Sequence, residues 1–216
     1  MPTDVTRLRR AIPTEEFDYT LLTSLLSGYS GVRQKIHQLL RSGVIVRVKK
    51  GLYVFGPEYT HTAVCKEVLA NLIYGPSCIS LEYALAFHGL IPERVETITS
   101  ITPKKDKVFD TPLGRFTYRY LVLEKYAEGI GQVWIDDKHP VLMATIEKAL
   151  CDYISLNKVP ILTGYRETRE FLEEDLRIDP SHWARFNLIE LRRLNRIYRN
   201  KNIEQILEVL DQEAHR

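Results

Sequence analysis

The chain has 216 residues, a formal net charge of +2, and 44% hydrophobic and 27% charged residues, the composition of an ordinary globular protein with one large or two small domains. Its apolar runs fall well short of the roughly 18 residues a membrane span needs, and the first ten residues (Thr3, Asp4, Arg7, Arg9 and Arg10 among them) lack the apolar centre of a secretory signal. A cytoplasmic protein with no membrane partner is therefore expected. Cys65, Cys78 and Cys151 are odd in number and widely spaced, which argues against a disulfide framework or a zinc site.

The small net charge hides an asymmetry. Residues 1–56 carry nine basic and four acidic side chains, a surplus of +5, which leaves −3 for the remainder. From Tyr19 to Gly56 there are six basic residues and no acidic one. Such a run is commonly just a solvated face, but here it coincides with a helix-plus-hairpin pattern, which favours a nucleic-acid partner.

In chain order, Asp4–Ala11 reads as a short helix with Val5, Leu8 and Ile12 on one side, broken by Pro13. Thr14, with Glu15, Glu16 and Phe17, resembles a capping box opening a second helix, whose buried stripe is Leu21, Leu22, Leu25 and Leu26 and which ends at Ser27-Gly28. After a short Gly-containing turn, Ser30 is the expected N-cap and Gly43 the C-terminal stop of a third helix. Its apolar face is Val32, Ile36, Leu39 and Leu40, and the opposite pole carries Gln34, His37, Gln38 and Arg41, with Arg33 and Lys35 on the flanks. Val44–Val48, the turn Lys49-Lys50-Gly51 and Leu52–Phe55 then form a two-stranded ribbon with a basic tip. Three helices and such a ribbon describe a winged helix-turn-helix over residues 1–58. Its DNA-contacting candidates are Ser30, Arg33, Gln34, Lys35, His37, Gln38 and Arg41 on the helix and Arg47, Lys49 and Lys50 on the wing. The competing reading is a solvated helix in a module that serves protein contacts.

Residues 59–216 read as a mixed α+β domain with a helical C-terminal portion, which makes the whole chain α+β. Helices are expected at Ala63–Tyr74, stopped by Gly75-Pro76, and at Ser80–Leu90 with Ser80 as cap. Strands follow at Val95–Thr102, Lys107–Phe109, Gly114–Leu123 and Gln132–Ile135, then a helix Ile146–Leu156 capped by Thr145. Further helices are expected at Tyr165–Leu176, Asn187–Arg199 and Ile203–Glu213. Arg192, Arg193, Arg196, Arg199 and Lys201 form a second basic face on or beside the penultimate helix, either merely solvated or an extra electropositive contact surface.

No catalytic constellation emerges. His88 is placed to complement the carbonyl end of its helix, Glu147 to meet a helix N-terminus, and Lys148 and Asp152 to pair along an exposed side. His61 and Cys65 have helical ligand spacing without further ligands nearby, and Asp136 and Asp137 with Glu147-Lys148 lack the Glu-x-Lys spacing of metal-dependent nucleases. GxxxxGK, GxGxxG and GxSxG motifs are missing from the sequence, so neither an enzyme nor a cofactor or metal is expected.

Three blocks in order, Lys50-Gly51-Leu52-Tyr53-Val54, Ser80-Leu81-Glu82-Tyr83-Ala84-Leu85-Ala86-Phe87-His88-Gly89-Leu90 and Ala144-Thr145-Ile146-Glu147-Lys148-Ala149-Leu150-Cys151-Asp152-Tyr153, resemble the AbiEi family of type IV toxin-antitoxin antitoxins. The resemblance covers most of residues 15–157. Ile146 departs from the Pro that the family commonly has there, a change a first helical turn tolerates, and the tail after Asn157 matches no family motif. The resemblance implies an N-terminal winged helix that binds inverted repeats in double-stranded operator DNA and represses its own operon. It further implies a C-terminal domain that counteracts a cognate nucleotidyltransferase-like toxin without requiring a stable complex. The alternative kept open is a transcriptional regulator with a ligand- or protein-binding C-terminal domain.

Overall fold

The computed structural model describes residues 2–215, with side chains from 5 to 215. The N-terminal unit is built from α1 (Pro2–Ala11), β1 (Glu16–Asp18), α2 (Tyr19–Leu25), α3 (Val32–Arg41), β2 (Ile45–Lys49) and β3 (Leu52–Phe55). Leu8, Ile12, Leu22, Leu26, Ile36 and Leu39 close its core together with Phe17, Val44, Ile45, Tyr53 and Phe55.

Residues 14–18 do not start a helix. Glu16, Phe17 and Asp18 instead pair antiparallel with Val54, Tyr53 and Leu52, giving a three-stranded sheet of order β1-β3-β2. Packing of the Phe17 ring against Tyr53 and Phe55 outweighs the local capping signal. Asp18 then serves as the cap of α2, accepting from the Leu21 N–H at 2.7 Å. Glu15 is buried elsewhere: its carboxylate takes both Arg9 guanidinium nitrogens at 3.0 and 2.9 Å and the backbone N–H groups of His61 and Thr62 at 2.9 and 3.1 Å. Burial alone raises that carboxyl, yet these donors together hold it below the ordinary carboxylate range.

A second, larger core begins in the same hairpin. All four residues of β3 are buried, Tyr53 and Phe55 in the first core, Leu52 and Val54 in the second with Val48. β3 is thus covered on both faces, which explains why Leu52–Phe55 reads as a continuous apolar run.

After the hairpin come α4 (Lys66–Ile73), β4 (Cys78–Ile79), α5 (Leu81–Phe87), β5 (Ile98–Thr102), β6 (Lys107–Thr111), β7 (Gly114–Tyr120), α6 (Leu123–Tyr126), β8 (Ile130–Trp134) and β9 (Pro140–Ala144). The strands make one six-stranded mixed sheet of order β6-β7-β5-β4-β9-β8, with β5/β7 and β4/β9 parallel and the other pairs antiparallel. The sequence pattern missed β4, only two residues long, and β9, which opens on Pro140, a residue tolerated at a strand's first position. It also carried β7 three residues past its end at Tyr120, to Leu123, the first residue of α6.

The C-terminal portion is α7 (Ile146–Leu156), α8 (Gly164–Glu170) continued by a wide π turn over Phe171–Asp175, a 3-10 turn over Pro180–Arg185, α9 (Leu188–Tyr198) and α10 (Lys201–Ala214). Asn187 caps α9 through the N–H groups of Ile189 and Glu190, both at 3.1 Å, and Arg199 ends it in the left-handed region. The chain is α+β, and no helix among the described residues is long and apolar enough to cross a membrane.

Candidate nucleic-acid interface

On α3, Ile36 and Leu39 are buried while Arg33, Gln34, His37, Gln38 and Arg41 are exposed, as the helical period requires. Lys35 lies on the flank, its ammonium 5.1 Å from the Tyr29 ring centroid and 3.3 Å from the Gln38 amide oxygen. Ser30 is not the cap. The helix starts two residues later with Gly31 at the N-cap position and no side-chain capping bond, because the preceding turn is tightened by the Tyr29 N–H donating to the Leu26 carbonyl. Ser30 itself is exposed. At the other end Gly43, at φ +70°, supplies the left-handed residue that stops the helix.

The hairpin brings a second row of cations beside α3. Its register runs Ile45↔Phe55, Val46↔Val54, Arg47↔Tyr53, then slips so that Lys49 lies opposite Leu52. Such a bulge re-aims side chains, and its effect is to separate three basic residues that the sequence groups together. Arg47 and Lys50 line a groove of about 640 Å³ with Arg33, His37, Ile36, Leu40, Tyr19, Gly51 and Tyr53. Lys49 turns the other way, onto α4, where its ammonium donates to the Ile73 carbonyl at the helix end. Burial, and then the nearby Lys104, lower its pKa. Lys49 is therefore a fastener between hairpin and α4 rather than part of the exposed basic row.

Tyr19 and Tyr53, which sequence patterning did not single out, wall and floor this groove. Their placement follows from tertiary pairing, with the Tyr19 N–H donating to the Gly51 carbonyl of the hairpin turn at 2.9 Å and Tyr53 held opposite Arg47. Among the described residues Arg33, Arg41, Arg47 and Lys50 make no ion pair with an acidic side chain. Unneutralised cations along a groove free of acids attract phosphate, and their field is not cancelled locally.

The second basic face is weaker than the residue count suggests. Arg192 is paired with Asp211 at 2.9 Å, and Arg193 with Glu128 at 2.5 Å and Glu190 at 2.7 Å. Arg196, Arg199 and Lys201 remain exposed.

The block at the start of α7 is interior. Lys148 and Asp152 do not pair along a solvated side: both side chains are 0% exposed, with Nζ 2.7 Å from Oδ1. The ammonium also donates to the Lys125 carbonyl at 2.9 Å and lies 2.5 Å from the Tyr198 hydroxyl, while the Ser80 hydroxyl donates to Asp152 Oδ2 at 2.6 Å. Ser80 therefore spends its hydroxyl across the core instead of capping α5. Burial outweighs these donors and raises the Asp152 carboxyl, and it pushes the Tyr198 hydroxyl up as well. Glu147 is buried too and accepts the Asn187 N–H at 2.7 Å. His88 Nε2 lies 2.9 Å from the Ala144 carbonyl of β9, a cross-link to the sheet in place of the end-of-helix role expected of it. A helix surrounded on all sides hides this from periodicity, because its polar residues are satisfied by neighbours remote in sequence.

Comparison with protein-family models and with curated proteins finds no match for this chain.

Proposed function

We propose that the chain is a DNA-binding transcriptional repressor in which residues 1–58 act as a winged helix-turn-helix. The observation that supports this is the groove in which Arg33, His37, Arg47 and Lys50 converge, within a stretch from Tyr19 to Gly56 that has no acidic residue. Gln34, Gln38 and Arg41 on the outer face of α3 read base edges in the major groove, and Arg33, Arg47 and Lys50 hold phosphates on either side. The hairpin does not enter a groove as a free wing, since both its faces are packed; only its tip and Arg47 are available.

The resemblance to the AbiEi family extends the proposal: the repressor controls a toxin-antitoxin operon, its second domain counteracts the toxin, and it has no catalytic activity of its own. The test combines two measurements. Binding to the DNA upstream of its own gene is followed in salt titrations, and the chain is co-expressed with the neighbouring open reading frame. Growth arrest by that neighbour, relieved by this chain, is the expected result. Salt-insensitive or absent DNA binding refutes the first half, and a harmless neighbour refutes the second. A regulator whose second domain takes a ligand has one feature in its favour, an open cleft of about 570 Å³ lined by Lys66, Arg94, Arg115, Glu93 and Glu96.

A further inference from the structure

The groove between α3 and the hairpin has a property that duplex DNA does not use. Its rim is cationic, but its floor is apolar, formed by Ile36, Leu40 and Tyr53, with Tyr53 and Ile36 only 4% and 5% exposed. Tyr19 stands at the edge and is 41% exposed. At about 640 Å³ the groove lies in the range of small-molecule sites, roughly 300–1,000 Å³. Phosphates bound by Arg33, Arg47 and Lys50 rest on the rim, because descending onto an apolar floor strips their hydration without replacing it.

We infer that this groove also binds an amphipathic organic anion, a flat apolar body carrying one carboxylate or sulfonate, and that the anion and DNA exclude each other. The apolar body covers Ile36, Leu40 and Tyr53 and stacks on Tyr19, and its anionic group is held by Arg47 and Arg33. Charge complementarity selects this occupant. Three permanent cations surround the floor, the nearest stretch of sequence holds no acid, and among the described residues Arg33, Arg47 and Lys50 have no acidic partner that a ligand must displace. A cationic ligand is thus disfavoured by its charge alone, and an uncharged one leaves the guanidinium groups unused. The exclusion of DNA rests on the proposed DNA reading, since it requires the same arginines to hold phosphate.

The probe is 8-anilinonaphthalene-1-sulfonate, added to the full-length chain and followed by fluorescence. Saturable binding of one molecule per chain is expected, weakened at least tenfold in Arg33→Ala/Arg47→Ala and unchanged in Lys66→Ala/Arg115→Ala, which alters the separate cleft of the second domain. Equal titration curves for the wild type and the Arg33→Ala/Arg47→Ala variant, with thermal unfolding showing both folded, overturn the site. Excess duplex DNA is expected to displace the probe. Protein that binds DNA yet retains its probe overturns the competition and leaves the repressor function standing. Protein that binds the probe through the arginines but no DNA refutes the repressor function, and with it the competition, and leaves the anion site standing.

Discussion

Replacing Lys148 by Met removes the ammonium from a site where nothing else can take its place. In the native chain that ammonium meets Asp152 Oδ1 at 2.7 Å, the Lys125 carbonyl at 2.9 Å and the Tyr198 hydroxyl at 2.5 Å, with no solvent access to either member of the ion pair. Methionine fills most of the volume, so the loss is electrostatic: Asp152 is left buried with only the Ser80 and Tyr198 hydroxyls to balance it. Breaking a buried pair from one side costs about 3–5 kcal/mol. For a chain of this size each kcal/mol lowers Tm by about 2–4 °C, so a fall of roughly 6–20 °C is expected in a calorimetric scan at pH 8. The sign of the pH dependence follows from Asp152, whose carboxyl burial already holds above its ordinary range. A carboxyl raised in the folded state favours folding below its unfolded value, about 3.9, and loses that contribution as pH rises through the folded value. The Lys148→Met penalty is accordingly smaller at pH 5 than at pH 8. Lys148→Met/Asp152→Leu is expected to recover at least half of the loss, since no buried charge remains. A single variant within about 2 °C of wild type at pH 8, or a penalty larger at pH 5, refutes the account of this site.

Three further outcomes test the interface and its supports. Arg47→Ala/Lys50→Ala weakens binding to all duplex sequences and reduces the slope of log K against log salt by about 2, one per phosphate contact, whereas Lys49→Ala leaves the slope unchanged because its ammonium is spent on Ile73. Equal slope changes in the two proteins contradict the placement of Lys49. Glu15→Gln costs about 1.5–3 kcal/mol at pH 7 by weakening the Arg9, His61 and Thr62 bonds. Because the Glu15 carboxyl is held low in the folded state, its contribution is present above about pH 4.3 and disappears as pH falls through the folded value, so denaturation curves of variant and wild type converge in acid. A fragment of residues 1–58 lacks a cooperative unfolding transition, since it exposes Val48, Leu52 and Val54, each worth about 1.5–3 kcal/mol of burial in the whole chain. A sharp calorimetric peak from that fragment contradicts the shared core.

Residue spacing by itself determined the elements whose signals are local. The period of α3 follows from Val32, Ile36, Leu39 and Leu40 alone, its stop from Gly43, and the hairpin from a Val/Ile-rich run and an aromatic apolar run on either side of Lys50-Gly51. The penultimate helix is equally legible from its apolar stripe, and the last is found with its start two residues late, at Ile203 instead of Lys201. The exposed cations of α3 belong to this class, because a one-sided helix sorts its residues by period and needs no partner to do so. What only the tertiary structure decided are features set by contacts distant in the chain. Thr14–Phe17 carries a helix-start signal, yet Glu16–Asp18 becomes β1 because β3 offers it a ladder and Phe17 two aromatic partners. Lys49 and Lys50 are adjacent and alike in sequence, and a bulge sends one to α4 and leaves the other in the groove. Lys148 and Asp152 stand four residues apart, the spacing of a surface pair, and are buried because Ser80, Lys125 and Tyr198 arrive from three other parts of the chain to satisfy them. A polar side chain's burial depends on whether donors and acceptors remote in sequence meet it, and no local pattern contains that information.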